Sequence, residues 1–248
     1  MRPPRIYYSG QLKIGKKIIL NKKISHYLRN VLRMKYLFKL VLFNGQNLTF
    51  NANIININRK YVTVQIYSIQ KKNIESPLFL HLGQIISSNE VMQFSIQKSV
   101  ELGVSVITPL LATHCNIQDN NFEWLKKKQA HWQKIALAAC AQCGRNYIPE
   151  VQKPIKLETW CAQQTDCKKI YFHQYYKQQF TNIFPYKFSK FRLLIGPEGG
   201  FTNNEISMMI HHGFNNICLG PRILRTETAV IAAITILQAY FGDLIKDI

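Results

Sequence analysis

Apolar positions along this chain follow two rhythms, and the change between them falls near residue 74. Before it, apolar residues come in short β-branched runs at 18–20, 40–43, 52–57 and 61–69, the length and composition of strands. Asn44-Gly45 marks a hairpin turn and Asn58-Arg59 a weaker one. One helical stretch, 24–33, starts near Asn21 and puts Arg29 and Arg33 four apart on one face. Residues 1–73 therefore read as a small β domain. A polar stretch, 71–77, links it to the rest, 74–248, where strands alternate with helices: strand 78–86, helix 89–102 capped by Asn89 and closed by Gly103, strand 106–111, helix 124–143 ended by Gly144 and Pro149, strand 170–173 and strand 192–195. That alternation predicts an α/β domain with a mainly parallel sheet.

The last sixty residues carry the sharpest pattern. The apolar run 193–195 stops at Gly196-Pro197-Glu198-Gly199-Gly200, and a second run, 217–219, stops at Gly220-Pro221. Both are too short for helices and suit buried strands that end in sharp turns. The helix between them starts with Thr202 as cap and Glu205 three residues on, and Gly213 ends it. Residues 226–240 are then almost wholly apolar. A helix apolar on nearly every face is buried on nearly every face, and here that predicts a homodimer. Glycine turns let main-chain groups approach a ligand closely, so two such turns side by side suit a flat, polar-edged group such as adenine. Tight strand-to-helix connections with no ligand account for the spacing equally well. Neither GxGxxG nor GxxxxGK[ST] occurs, so no dinucleotide or P-loop motif is supported.

Charge changes the picture of the first domain. The 248 residues carry a net charge of +19. Fifteen Lys/Arg and no acid precede Glu75, against seventeen basic and thirteen acidic residues from there on. A field so placed attracts a polyanion and makes its binding salt-dependent. A general compositional drift toward lysine does not explain a first third without acids, so nucleic acid is the expected partner. No apolar run is long enough to span a membrane and no N-terminal h-region appears, which predicts a soluble, cytoplasmic protein. Six cysteines are scattered; Cys140 and Cys143, three apart on a predicted helix, read as small buried residues, and no metal is expected.

With these features in place, LLIGPEGGF followed by LGPRILRTETA resembles the RsmE family of 16S ribosomal RNA uridine-N3 methyltransferases, in the SPOUT superfamily. MRPPRIYY, LRNVLRM, IQKSVELGV and QCGR extend the resemblance along the chain. It implies a small N-terminal PUA-like β-barrel domain that binds RNA and a C-terminal SPOUT α/β domain with a trefoil knot. It implies S-adenosylmethionine as cofactor, held by Leu194, Ile195, Gly196, Pro197, Glu198, Gly199 and Gly200 from the first block, and by Leu219, Gly220, Ile223, Leu224, Arg225, Thr226 and Thr228 from the second. The implied substrate is a uridine in the decoding region near the 3′ end of 16S rRNA in the small subunit, met by Arg5, Arg29, Arg33, Gln142 and Arg145.

Methylation at uracil N3 needs removal of a proton and alignment with an electrophilic methyl group. Arg225 is placed to hold a phosphate or to stabilise the uracil as its proton leaves; an ion pair with Glu198 or Glu227 is the competing role. Glu198 can orient cofactor or accept a proton, or be tied to turn amides. Arg145 also suits a helix C-terminus on dipole grounds alone. Glu101 and His173 read as structural. The chain departs from the family pattern at Val91, Gln93, Thr113, His114 and Ala141, positions expected near RNA. A methyltransferase for another base or a ribose 2′-OH, and an RNA-binding assembly factor without catalysis, remain the alternatives.

Overall fold

The computed structural model describes residues 3–115, 122–172 and 188–245. The chain divides into two compact units. The first holds the residues up to Glu75 together with Cys140–Ile148; the second holds Ser76–Ala139 and the chain from Pro149 on. The expected boundary at 73/74 did not include the excursion of Cys140–Ile148 into the first unit.

In the first unit, β1 (Arg5–Tyr7), β2 (Lys17–Ile19), β3 (Lys39–Phe43), β4 (Leu48–Ile57) and β5 (Val62–Lys71) form a curled half-barrel in the order β1-β3-β4-β5-β2. Only β1 and β3 run parallel. Side chains alternate across a strand, so Phe50, Ala52 and Ile54 of β4 and Val62, Val64 and Ile66 of β5 all point into one core with Leu20, Leu28, Leu40 and Leu42. Burying each large aliphatic side chain contributes about 1.5–3 kcal/mol. Irregular pairing near Asn51/Ala52 and Ile54/Asn56 accompanies the curl.

Asn21 caps helix α1 (Lys22–His26), its side-chain oxygen accepting from the Ile24 amide at 2.9 Å. The helix then widens into a π turn, Tyr27–Val31, in which the Leu32 amide donates to the Tyr27 carbonyl. Arg33 has φ 49°, outside the helix. Arg29 and Arg33 therefore do not share a helical face: the helix stops at Val31, two residues short of the expected end.

Cys140–Ile148 is held by a specific set of bonds. Arg145 is buried and its guanidinium donates to Glu75 at 2.6 and 2.8 Å. Arg5 donates to the Arg145 carbonyl and to Asn146 Oδ1, and stacks on Phe43 at 4.8 Å. Burial lowers the Arg5 pKa. Burial likewise pushes the Cys140 thiol up to about 12 against the pull of Arg145, which leaves it unreactive.

The second unit is built on a parallel sheet in the order β12-β10-β11-β6-β7-β8, with β9 beside β7. Its strands are β6 (Phe79–Ile85), β7 (Val106–Leu111), β8 (Glu150–Val151), β9 (Ile155–Lys156), β10 (Lys168–Phe172), β11 (Lys190–Ile195) and β12 (Asn215–Ile217). The helices are α2 (Asn89–Glu101), α3 (Phe122–Cys143), α4 (Leu157–Ala162), α5 (Asn203–His211) and α6 (Thr226–Phe241). Three details differ from the sequence reading. Ser88, not Asn89, caps α2, accepting from the Val91 amide. The final strand ends at Ile217, because its pairing is with Ile170–Phe172 of β10. The strand expected to end at His173 is seen through Phe172, and His173 lies outside the described residues. Among the described residues no helix is long and apolar enough to cross a membrane.

Candidate active site

Strand order reverses between β6 and β11, where β6 has β7 on one side and β11 on the other. In parallel α/β sheets ligands bind beyond the carboxyl ends of strands near such a point. Both Gly-Pro turns lie beyond carboxyl ends of the sheet, the first after β11 at this point and the second after the edge strand β12, two strands over.

A cavity of about 430 Å³ lies between the two turns. Ile195 to Phe201 form one wall and Leu219, Gly220, Arg222, Ile223, Leu224 and Thr226 the other. The turns are joined directly, since the Thr226 hydroxyl donates to the Gly196 carbonyl at 3.4 Å. Gly200 and Gly220 hold φ values of 71° and 101°, a region that side chains with a Cβ avoid. A Cβ built at either meets nothing within 4 Å, so the backbone there faces open space.

Most residues expected to hold cofactor line this cavity. Three do not: Leu194 is buried within the sheet, Arg225 lines a neighbouring cavity, and Thr228 is exposed outside both. The lining also includes Phe172, Phe201, Asn203, Ile206 and Ala229, which the sequence reading passed over. Phe172 comes from the strand beside β11, a neighbour fixed by sheet order rather than by spacing.

The neighbouring cavity, about 810 Å³, shares Pro197, Glu198, Ile223, Leu224 and Thr226 with the first. Its other side is the start of α2, with Ser88, Glu90, Val91 and Phe94. Arg225 opens α6 from the N-cap position with no side-chain cap bond and is exposed. Among the described residues it makes no ion pair with Glu198 or Glu227. Glu101, by contrast, is paired with Lys98 at 3.0 Å.

The first turn is braced from behind. Thr202 and Glu205 form a reciprocal capping box on α5, and the second Glu205 oxygen accepts the Thr113 amide at 2.9 Å. Burial pushes the Glu205 carboxyl up, but hydrogen bonds from Thr113 and Thr202 outweigh it and hold the pKa below 4.5. The His114 ring packs on Gly199, with Nδ1 3.1 Å from the Gly200 carbonyl. Of the departures from the family pattern noted above, His114 thus touches the first glycine turn, and Thr113 touches the helix that follows it. The capping role of Glu205 is legible from its spacing to Thr202; its bond to Thr113, just past β7 and 92 residues away, has no local signal.

Of the residues expected to meet RNA, Arg33 and Gln142 are exposed and Arg29 half-buried. Arg5 and Arg145 are engaged inside the first unit as described. Among the described residues no group of three His, Cys, Asp or Glu is placed to hold a metal ion.

Two family models match the chain: an RNA methyltransferase domain over residues 74–238 and an RNA methyltransferase PUA domain over residues 20–67. A ribosomal RNA small subunit methyltransferase E from Buchnera aphidicola subsp. Schizaphis graminum is 51% identical over 98% of both chains. Two solved structures cover 98% of this chain and all of their own. A methyltransferase from Legionella pneumophila in complex with the cofactor SAM has a TM-score of 0.93 at 41% identity. A ribosomal RNA small subunit methyltransferase E from Neisseria gonorrhoeae, bound to S-adenosyl methionine, has a TM-score of 0.90 at 32% identity.

Proposed function

The chain belongs to the ribosomal RNA small subunit methyltransferase E family, and from that premise we propose that it transfers a methyl group from S-adenosylmethionine to N3 of a uridine near the 3′ end of 16S rRNA. The observation that carries this reading is the cavity between two left-handed glycine turns whose backbone faces open space. Those turns fit a flat group with polar edges: the main chain of 195–200 and 219–220 would hold it, beside the apolar lining of Phe201, Ile206 and Leu224. When bound, the sulfonium supplies an electrophilic methyl group.

The chain's own residues then have three tasks. The shared wall, Pro197-Glu198 and Ile223-Leu224, positions the acceptor base from the second cavity against the first; alignment supplies most of the rate. Arg225 stabilises negative charge on the uracil as its N3 proton leaves. Glu198, on that wall, is the carboxylate placed to take the proton.

RNA is held by the first unit. Its only carboxylate, Glu75, is consumed by Arg145, so the remaining cations act on a polyanion undiminished. Arg29, Arg33 and Gln142 are the proposed contacts. The working form is a homodimer through α6: it buries Val230, Ala233, Ile234 and Leu237 on one side yet leaves Tyr240 exposed, with Leu244 and Ile245 beyond it. It works in the cytoplasm, on the small subunit. Nucleoside analysis of small-subunit RNA from cells lacking the protein tests the reading. Loss of N3-methyluridine is expected; a change confined to another base or to a ribose methyl overturns it.

A further inference from the structure

Large apolar side chains of a folded domain mostly turn inward. In the first unit, the stretch from Tyr27 to Phe38 does the opposite. Leu28 and Met34 are buried and anchor it. The other six large apolar side chains stand in solvent: Tyr27 is 44% exposed, Val31 62%, Leu32 37%, Tyr36 62%, Leu37 57% and Phe38 47%.

This exposure is built, not frayed. Leu37 holds a φ of 65° and Arg33 one of 49°, a region that residues with a Cβ seldom occupy. The Leu37 amide donates to the Ile54 carbonyl at 2.8 Å, and the Ile54 amide returns a bond to Phe38 at 3.0 Å. Strand β4 thus fixes the strained backbone with its rings outward.

Cations are interleaved with the rings. Arg29, Arg33, Lys35 and Lys39 fall in or beside the stretch. The Arg29 guanidinium donates to the carbonyls of Asn58 and Arg59, which binds the β4–β5 turn, with exposed Arg59 and Lys60, to the π turn. The one carboxylate of the unit is taken up by Arg145.

A purely cationic face suits the phosphates of a duplex, whose A-form bases are closed to side chains. Rings alternating with cations suit a strand whose bases are unstacked, each ring offering a face to a base and each cation a charge to a phosphate. We propose that the ridge from Tyr27 to Phe38 holds unpaired bases of single-stranded RNA, with Tyr36 and Phe38 as the stacking platforms. The inference rests on the reading of the first unit as the RNA-binding part, and adds that the substrate is gripped through an unpaired segment.

The test uses the full chain, a short labelled oligouridine and an RNA duplex of the same length. Tyr36→Ala/Phe38→Ala should weaken oligouridine binding about ten- to a hundredfold. Duplex binding, cofactor affinity and the slope of log affinity against log salt should stay as in the parent. Tyr36→Phe/Phe38→Tyr should restore oligouridine binding. Equal losses on both RNAs, a flattened salt slope, or no loss on either overturn the inference. So does a drop in methylation of intact small subunits with both RNA affinities unchanged, which would make the ridge a protein-docking face. Methyl transfer by the parent chain to small subunits reports on the proposed function separately, so either reading can fail without the other.

Discussion

The two ends of the parallel sheet handle polar groups in opposite ways. At the carboxyl end, glycine turns present bare backbone to a cavity, and Arg225 and Glu198 are not paired with each other. At the amino end, two cations, Arg192 and Lys169, are held by main-chain carbonyls of the fold itself. Arg192, buried in β11, donates to the carbonyls of Trp160 and Gln163 at the end of α4, and its guanidinium lies 4.1 Å from the Trp160 ring centroid. Lys169 of β10 donates to the Cys161 and His212 carbonyls. Both cations thus cap helix carbonyls, where the dipole favours positive charge. Burial lowers the pKa of each. Satisfied polar groups stabilise and are inert; unsatisfied ones at a cavity rim are available for binding and chemistry. Substitutions at the carboxyl end should therefore change function with little loss of stability, and those at the amino end the reverse.

The largest effect should come from Gly220→Val. At φ 101° a β-branched residue is strained whatever the space, and its side chain enters the cavity. Cofactor affinity by calorimetry should fall at least about a hundredfold, from the strain and the lost close approach together. The circular dichroism spectrum should stay native. A folded Gly220→Val chain that binds cofactor normally would show that the second glycine turn does not face the cofactor. Next is Arg225→Ala, for which the turnover rate should fall about a hundred- to a thousandfold, as for loss of one charge-stabilising donor. Cofactor affinity should move only a few fold, and melting temperature hardly at all. A marked loss of stability would mean that Arg225 belongs with the satisfied cations instead.

At the other end, Arg192→Met deletes hydrogen bonds to the Trp160 and Gln163 carbonyls and a cation over an indole ring. Urea unfolding should show a loss of roughly 2–4 kcal/mol. Cofactor affinity of the folded fraction should be unchanged. Equal stability with weakened cofactor binding would show that the two ends are coupled, contrary to the division drawn here.

Legibility in the sequence follows the same division. The carboxyl end was readable because its signals are local: Thr202 and Glu205 are three residues apart, and each glycine turn follows its strand within three residues. The amino end was not, because Arg192 and its partner Trp160 are 32 residues apart and α4 is only six residues long. The first unit repeats the lesson. Four of its strands were visible as apolar runs, while three-residue β1 is held by parallel pairing to distant β3. Arg145 looked like a surface cation because Glu75, its partner, lies 70 residues away. The π turn that separates Arg29 from Arg33 has no compositional mark. Local rules predict caps and turns; pairings across the fold depend on the sheet order, which no local pattern states.

The smallest effect concerns His81, near the amino end of β6. Its Nε2 lies 2.7 Å from the Thr108 hydroxyl, which donates its own proton to Gln152 at 2.7 Å. His81 must therefore donate from Nε2, in a half-buried site edge-on to Trp160. Burial first, and then the Arg192 charge, lower its pKa to about 3. Unfolded, the same ring takes up a proton near its ordinary 6.5. Below that pH the unfolded chain binds one proton more than the folded chain, so acid favours unfolding. Stability from this group is intact above 6.5 and falls by up to about 1.4 kcal/mol for each pH unit below it, until the folded ring also protonates. His81→Gln can keep a donor for Thr108 but cannot titrate. At pH 7.5 it should lie within about 1 kcal/mol of the parent; between pH 6.5 and 5 its unfolding free energy should fall less steeply with acid. Parallel slopes for the two proteins would show that His81 is protonated in the folded state. Cofactor affinity should be the same for both across that range, because His81 lines neither cavity at the other end of the sheet.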